Sequence, residues 1–441
     1  MRPNLSIRLL MRAPDRDLAW LRRALQSAME LELGTLPPYL CGLWALKDQE
    51  SDAALQIRSI ALQEMGHFGL ACNMLSATGE KPEVVEGYRR IVYPGPLPGG
   101  VVPACDGALI PCGDDFQVRL GFGDFKAFAL MCATIEYPED PVPRPLLAEA
   151  VETFPTIGEF YAAVLEAFHA NTADIPYDTA NQRKGSLGIF IVDSIDKAVA
   201  AIERIQQQGE GGSRNPFYGN MQLAHFYAFG ELYFGKKYIF DAATETGDWT
   251  GAPVVIPANA VYQMTPVPAG GYPSPPPDVT DCDVTFTQML VALEQAWSGG
   301  GSAALGKAVG LMVKLAGQAK TLLGQEIPRT DGAGIYGPQF RLAGLPEPVP
   351  GGGGGGGQPV GPVSFAADIV PLFRPVDIAH MKPFGVKLDN YAYMSDPADD
   401  HGNAKAVLDT LTSQNMPPGG PFWPQDKLDL FAAWMSGGYL P

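Results

Sequence analysis

The sequence predicts a mainly α protein: a four-helix bundle with one long crossover, an accessory helical pair and a small helical C-terminal domain. Three observations predict it. Strong 3.6-residue apolar periodicity runs through 16–47 and again through 52–78, with only a polar turn, Asp48 to Ser51, between them; this spacing makes an antiparallel pair. An irregular stretch rich in Pro and Gly follows, from Gly79 to about Gly121. Helical patterns then return at 123–136, 156–170, 193–208 and 217–234. A tightly joined pair, a long crossing and further helices are the connectivity of a bundle with one crossover.

After Thr250 the pattern changes. Residues 252–279 form a Pro-rich loop, and 283–298 with 302–324 read as a second helical pair around a Gly-rich turn, Ser298 to Ser302. A linker from Pro348 to Pro362 contains seven consecutive glycines and is expected to be flexible, because glycine gives up the most backbone entropy on ordering. The expected units are therefore a metal-binding bundle over 1–245, a loop and accessory pair over 246–347, a linker over 348–363 and a small domain over 364–441.

Composition narrows the partners. The formal charge of −17 repels phosphate backbones and anionic lipid, so neither nucleic acid nor a membrane is expected. No apolar run approaches the length of a membrane span, and the N-terminus turns charged before any cleavage-site pattern, so a cytoplasmic protein is expected. Six cysteines in 441 residues do not make a disulfide scaffold. Cys41, Cys72 and Cys132 fall in helical patterns as buried thiols. Cys105 and Cys112 flank a short loop and would pair only if oxidised.

The chemistry lies in the apolar stripes. On the first helix Leu18, Leu25, Glu32 and Tyr39 repeat every seven residues, so Glu32 points inward while Glu30 falls off the stripe. On the second, Ile57, Ile60, Ala61, Glu64, His67, Phe68, Ala71 and Leu75 share one face. Buried carboxylates are costly unless paired or metal-bound. One helix bearing an inward Glu and another bearing Glu-x-x-His is the pattern of carboxylate-bridged metal sites in ferritin-like bundles. Imidazole beside carboxylate suits iron better than magnesium or calcium.

In the later helices Glu159 opens one segment, and Gln222-x-x-His225 reads as a second motif with an amide in place of the acid. Glu231 lies on the same inward stripe as Ala224 and Ala228. Glu166 and His169 form a rival Glu-x-x-His, although His169 sits at a helix end where a solvated side chain is the commoner arrangement. Glu136 falls on the stripe of Phe125, Phe128, Ala129 and Cys132, as a ligand, a base beside the metal or a cap partner. Pro37 and Pro38 interrupt the first helix and free the carbonyls of Leu33 and Gly34, leaving either a simple bend or space for a ligand near Tyr39.

The segments ELELGTLPPYL, LQEMGHFGLACNMLSATGEKP, IEYPE, TIGEFY and LAHFYAFGEL, in that order over roughly 15–240, resemble the ferritin-like region of the iminophenyl-pyruvate dimer synthase family. That family couples two imines of aromatic 2-oxo acids in violacein- and rebeccamycin-type pigment pathways. The resemblance implies Glu32, Glu64, His67, Glu159 and His225 as ligands, and Gln222 departs from it. The segment 364–441 looks like a small c-type cytochrome without its cysteines: Val376, Asp377, Ile378, Ala379, His380 stand where a Cys-x-x-Cys-His would attach haem, and Met416 where an axial ligand would sit. Covalent haem is not expected.

The expected function is that of an oxidative enzyme of secondary metabolism. It would hold one or two non-haem irons among Glu32, Glu64, His67, Glu159, His225, Gln222 and Glu231, with Glu136 and Tyr39 as catalytic groups. Its partners would be oxygen and a small organic, amino-acid-derived substrate. A second copy or a protein partner could dock on the C-terminal domain. The alternative is a non-catalytic metal-binding or scaffold protein on the same fold. Iron storage fits less well, because the large C-terminal portion disfavours packing into a closed cage.

Overall fold

The computed structural model describes residues 6–13, 15–101, 116–138, 156–209, 215–219, 221–332, 334–345, 363–397, 401–412, 423 and 425–441. The Cys105–Cys112 pair, Met416 and the glycine linker lie outside them. In chain order the first part holds α1 (Ser6–Met11), α2 (Leu18–Ala45), α3 (Asp52–Ala77), α4 (Val84–Arg89), α5 (Phe125–Ile135), α6 (Ile157–Ala170) and α7 (Ile195–Gly209). A hairpin of β1 (Phe217–Tyr218) and β2 (Gln222–Leu223) leads into α8 (His225–Phe234), followed by β3 (Ile239–Asp241), β4 (Thr246–Asp248), α9 (Pro277–Gln295) and α10 (Gly301–Gly324).

Local signals start the two long helices. The Asp17 carboxylate accepts from Trp20 N at the head of α2, and the Ser51 hydroxyl accepts from Ala54 N at the head of α3. Pro37 and Pro38 stay inside α2. The Gly34 carbonyl that Pro38 leaves free accepts the Tyr93 hydroxyl at 2.5 Å, and Pro98 packs so close that a Cβ on Gly34 would come within 2.5 Å of it. Of a simple bend or space for a ligand at this kink, the crossover segment packed on Gly34 leaves the bend.

The other side of the bundle is not two long helices but two half-length pairs laid end to end. α5 and α8 pack against the C-terminal half of α2 and the N-terminal half of α3. A Cβ on Gly42 would lie 2.0 Å from the Phe128 ring, the Tyr39 and Phe229 rings are 5.0 Å apart, and Gln56 Nε2 donates to Ala228 O at 2.6 Å. α6 and α7 cover the remaining halves, where Asn171 Nδ2 donates to Arg16 O at 2.7 Å and Gln208 meets His67 at 2.7 Å. The seam between the half-length pairs falls at mid-height, beside Glu32 and Glu64.

The segment 217–234 is not one helix, as its apolar pattern suggested. Residues 217–223 form the hairpin, with Phe217 opposite Leu223 and Tyr218 opposite Gln222. Gly219 (φ 51°) and Met221 (φ 64°) take left-handed backbone conformations in the turn, which no helix accommodates. α8 therefore starts at His225.

α9 and α10 share the bundle's core. Trp297, at their connection, sits edge-on to Phe68 at 6.0 Å and donates to Asn73 Oδ1 at 2.8 Å, while Phe286 packs on Tyr88 at 4.8 Å. One continuous apolar core runs from Ile7 to Phe340. A second core, centred on Phe365, Ile369, Phe431 and Trp434, belongs to the C-terminal segment and its helices α11 (Pro375–Met381), α12 (Tyr391–Met394), α13 (Gly402–Thr412) and α14 (Gln425–Ser436). Arg12 of the bundle pairs with Asp368 of that segment at 2.6 Å. His380 falls in α11, but its side chain is outside the described part. Among the described residues, Cys41, Cys72, Cys132 and Cys282 are buried free thiols, and no helix is long and apolar enough to cross a membrane.

Candidate metal centre

Five ionisable side chains from four helices converge at the seam: Glu32 of α2, Glu64 and His67 of α3, Glu136 at the C-cap of α5, and His225 at the first position of α8. None is more than 8% exposed. They form two groups. Glu32, Glu64 and His67 offer ligand atoms within 4.8 Å of one another, and so do Glu64, Glu136 and His225. Glu64 belongs to both. Its Oε1 lies 3.3 Å from His67 Nδ1 and 3.0 Å from His225 Nδ1; Glu32 Oε2 is 3.5 Å from the first imidazole and Glu136 Oε1 is 3.5 Å from the second.

The surroundings orient each group. His67 Nε2 faces Gln208 Oε1 at 2.7 Å and His225 Nε2 faces Gln63 Oε1 at 2.8 Å. Amide oxygens only accept, so each imidazole carries its proton on Nε2 and turns Nδ1 to the carboxylates. Tyr161 donates to Glu32 Oε1, Tyr39 to Glu136 Oε1 at 2.5 Å and Thr35 to Glu64 Oε2 at 3.0 Å. Burial, then the Glu136 charge, pushes the Tyr39 hydroxyl well above its usual range; burial and Glu32 do the same to Tyr161. Both phenols keep their protons and serve as donors.

Three carboxylates buried around one small cavity strain against each other. Burial and the Glu64 charge lift Glu32 to about 7. Burial would also lift Glu64, but His67 and His225 outweigh it and hold that carboxyl well below its ordinary range. Burial would lower both histidines. The facing carboxylates win: His67 is raised well above its usual value and His225 to about 9.

The donor set fits a cation. His225 Nδ1 is buried and makes no hydrogen bond, although Glu64 Oε1 is 3.0 Å away, because the oxygen lies off the direction an N–H would need. A neutral imidazole would aim a lone pair at carboxylate lone pairs, an arrangement that is favourable with a positive ion between them. The cavity beside Glu32, Thr35, Glu64, His67 and Glu136 has a volume of about 30 Å³, which is on the scale of single ions and waters. Imidazole nitrogen with carboxylate oxygen is a ligand set for first-row transition ions.

Other candidate residues lie elsewhere. Glu159 is exposed and closes a capping box at the head of α6: its backbone N–H bonds Thr156 Oγ1 at 3.1 Å, and its carboxylate accepts from Thr156 N at 3.0 Å. Tyr161, two residues on, reaches the cluster instead. Gln222 is exposed on β2, before the helix begins. Glu231, at the far end of α8 from His225, accepts from Lys237 Nζ at 2.8 Å and Tyr238 N at 2.9 Å. Glu166 pairs with Arg16 on the surface, and His169 is exposed. Glu30 is buried as well, against Arg90 and Gln26 and away from the cluster. Sequence reasoning missed Tyr161, Thr35, Gln63 and Gln208. Gln208 had a signal, being the polar member of the α7 stripe Ala198, Ala201, Ile202 and Ile205.

Residues 25–234 match the family model described as Ferritin-like. Among solved structures, a ferritin-like protein from Caulobacter vibrioides is similar, with a TM-score of 0.48 and 22% identity over 73% of this chain and 97% of that one. No curated protein matches. Residues 25–234 have a ferritin-like fold, and its core carries two candidate metal-binding groups that share Glu64.

Proposed function

We propose that this protein is a non-haem iron enzyme that holds two irons at the seam and oxidises a small organic substrate with oxygen. The observation that carries the reading is Glu64, one buried carboxylate shared by two carboxylate–histidine groups. Glu32 and His67 would complete one iron site, Glu136 and His225 the other, with Glu64 spanning both. Bound iron would supply oxygen activation and electrons. The chain's own part is positional. Gln208 and Gln63 fix the imidazole tautomers, while Tyr161, Tyr39 and Thr35 pin the three carboxylates.

The 30 Å³ cavity takes water-sized occupants, so the organic substrate would meet the centre at the rim formed by Tyr137, Ile157, Gln206 and Gly209. The resemblance to the iminophenyl-pyruvate dimer synthase region supports an amino-acid-derived substrate and secondary metabolism. Work in the cytoplasm, and docking of a second copy or partner on the C-terminal segment, belong to the same proposal. A second reading also has an observation behind it: the raised histidines and lowered Glu64 neutralise one another without metal, as they would in a hydrogen-bonded relic serving a scaffold.

Metal retention separates the readings. Loaded anaerobically with ferrous iron and desalted, the protein should keep about two irons per chain. Glu64→Ala, checked for fold by circular dichroism, should keep almost none. Wild-type retention well below one iron, no lower in Glu64→Ala, would establish the relic.

A further inference from the structure

A second cavity, of about 340 Å³, lies between α3, the β1–β2 hairpin and the chain leaving α8. The His225–Gln63 pair separates it from the carboxylates: Gln63 Oε1 accepts from His225 Nε2 at 2.8 Å on one side, and Gln63 also lines the cavity. Its volume is about ten times that of the metal cavity and within the range of small-molecule sites. It absorbs two residues whose helical spacing had suggested ligation, Gln222 and Glu231.

The lining has a distinct hydrogen-bonding balance. Ile60, Phe217, Leu223 and Ala228 supply apolar surface. The carboxylate and one amide oxygen are already engaged: Glu231 by Lys237 Nζ and Tyr238 N, and Gln63 Oε1 by His225 and by Tyr218 at 2.7 Å. Donors are left over. An ammonium has three N–H groups and Lys237 gives one to Glu231. Ser59 accepts from Gln63 Nε2 at 3.3 Å and keeps its own proton to give.

We propose that this cavity binds a small organic carboxylate with an apolar or aromatic body, its carboxylate on Lys237 and Ser59 and its body against Ile60, Phe217 and Leu223. The site goes beyond the metal-centre reading and stands without it. Its occupant would contact Gln63, the residue that orients His225.

The test uses the full-length, metal-free protein and two probes of one shape, benzoate and benzyl alcohol, titrated by ligand-observed NMR. Benzoate should bind saturably and benzyl alcohol about tenfold more weakly, the loss of one charge-assisted contact. Lys237→Met should weaken benzoate about tenfold and leave benzyl alcohol unchanged. Ser59→Leu, at an exposed helical position, should fill the cavity and abolish both. Equal binding of the two probes, or no effect of Lys237→Met, would overturn the carboxylate assignment. Absence of saturable benzoate binding, or binding untouched by Ser59→Leu, would overturn the site itself.

Discussion

Stripped of metal by a chelator, the protein should become less stable as the pH rises through neutrality. His67, raised well above its ordinary value, and His225 both contribute, and His225 sets the part that can be sized. Its ring is completely buried, and the Glu136 and Glu64 charges outweigh that burial to lift it from 6.5 to about 9. A group whose folded pKa is raised holds its proton more tightly in the native state. Its contribution is whole below the unfolded value of 6.5 and is lost as the pH passes 9. At about 1.4 kcal/mol per unit, the window is worth about 3 kcal/mol.

Glu32 acts with the same sign at lower pH. Raised from 4.5 to about 7, it contributes fully below 4.5 and has lost that contribution by 7. Glu64 is held below its ordinary range, so its contribution is present above 4.5 and disappears only in acid, outside the window. The assay is a series of urea unfolding midpoints at fixed ionic strength, run with chelator and with bound metal, with His225→Gln as the control that removes the His225 share of the upper window and leaves that of His67. Because ligands must be deprotonated to bind a cation, metal-loaded protein should show the opposite slope over the same range. A metal-free midpoint that is flat or rising between pH 6.5 and 9 would refute the electrostatic account of the cluster.

Two further outcomes test the assignment of residues. Glu159→Ala should lower stability by about 1 kcal/mol through loss of the capping box and leave metal content unchanged, as should the surface change His169→Ala for metal content; elemental analysis beside a thermal melt checks both. Gly42→Ala should cost about 1–3 kcal/mol, because its Cβ would meet the buried Phe128 ring at 2.0 Å, and Phe128→Leu should recover part of the loss in a melting experiment.

The sequence by itself determined the first two helices and the inward direction of Glu32, Glu64 and His67. Those positions lie inside long, regular helices, where a 3.6-residue period converts spacing into a shared face. Local capping chemistry is also legible at Glu159, since Thr-x-x-Glu states its own geometry, and that geometry rather than ligation is what the carboxylate serves. Only the tertiary structure decided the other half of the site. The apolar stripe offered Glu136 and the motif offered His225, but they stand at a helix end and a helix start, and only packing brings both to Glu64. Gln222 left the helix because Gly219 and Met221 turn the chain into a hairpin. Tyr161, Gln208 and Gln63 act through partners 129, 141 and 162 residues away in sequence. Such contacts depend on how two short helical pairs abut along two long ones, and packing, not spacing, sets that seam.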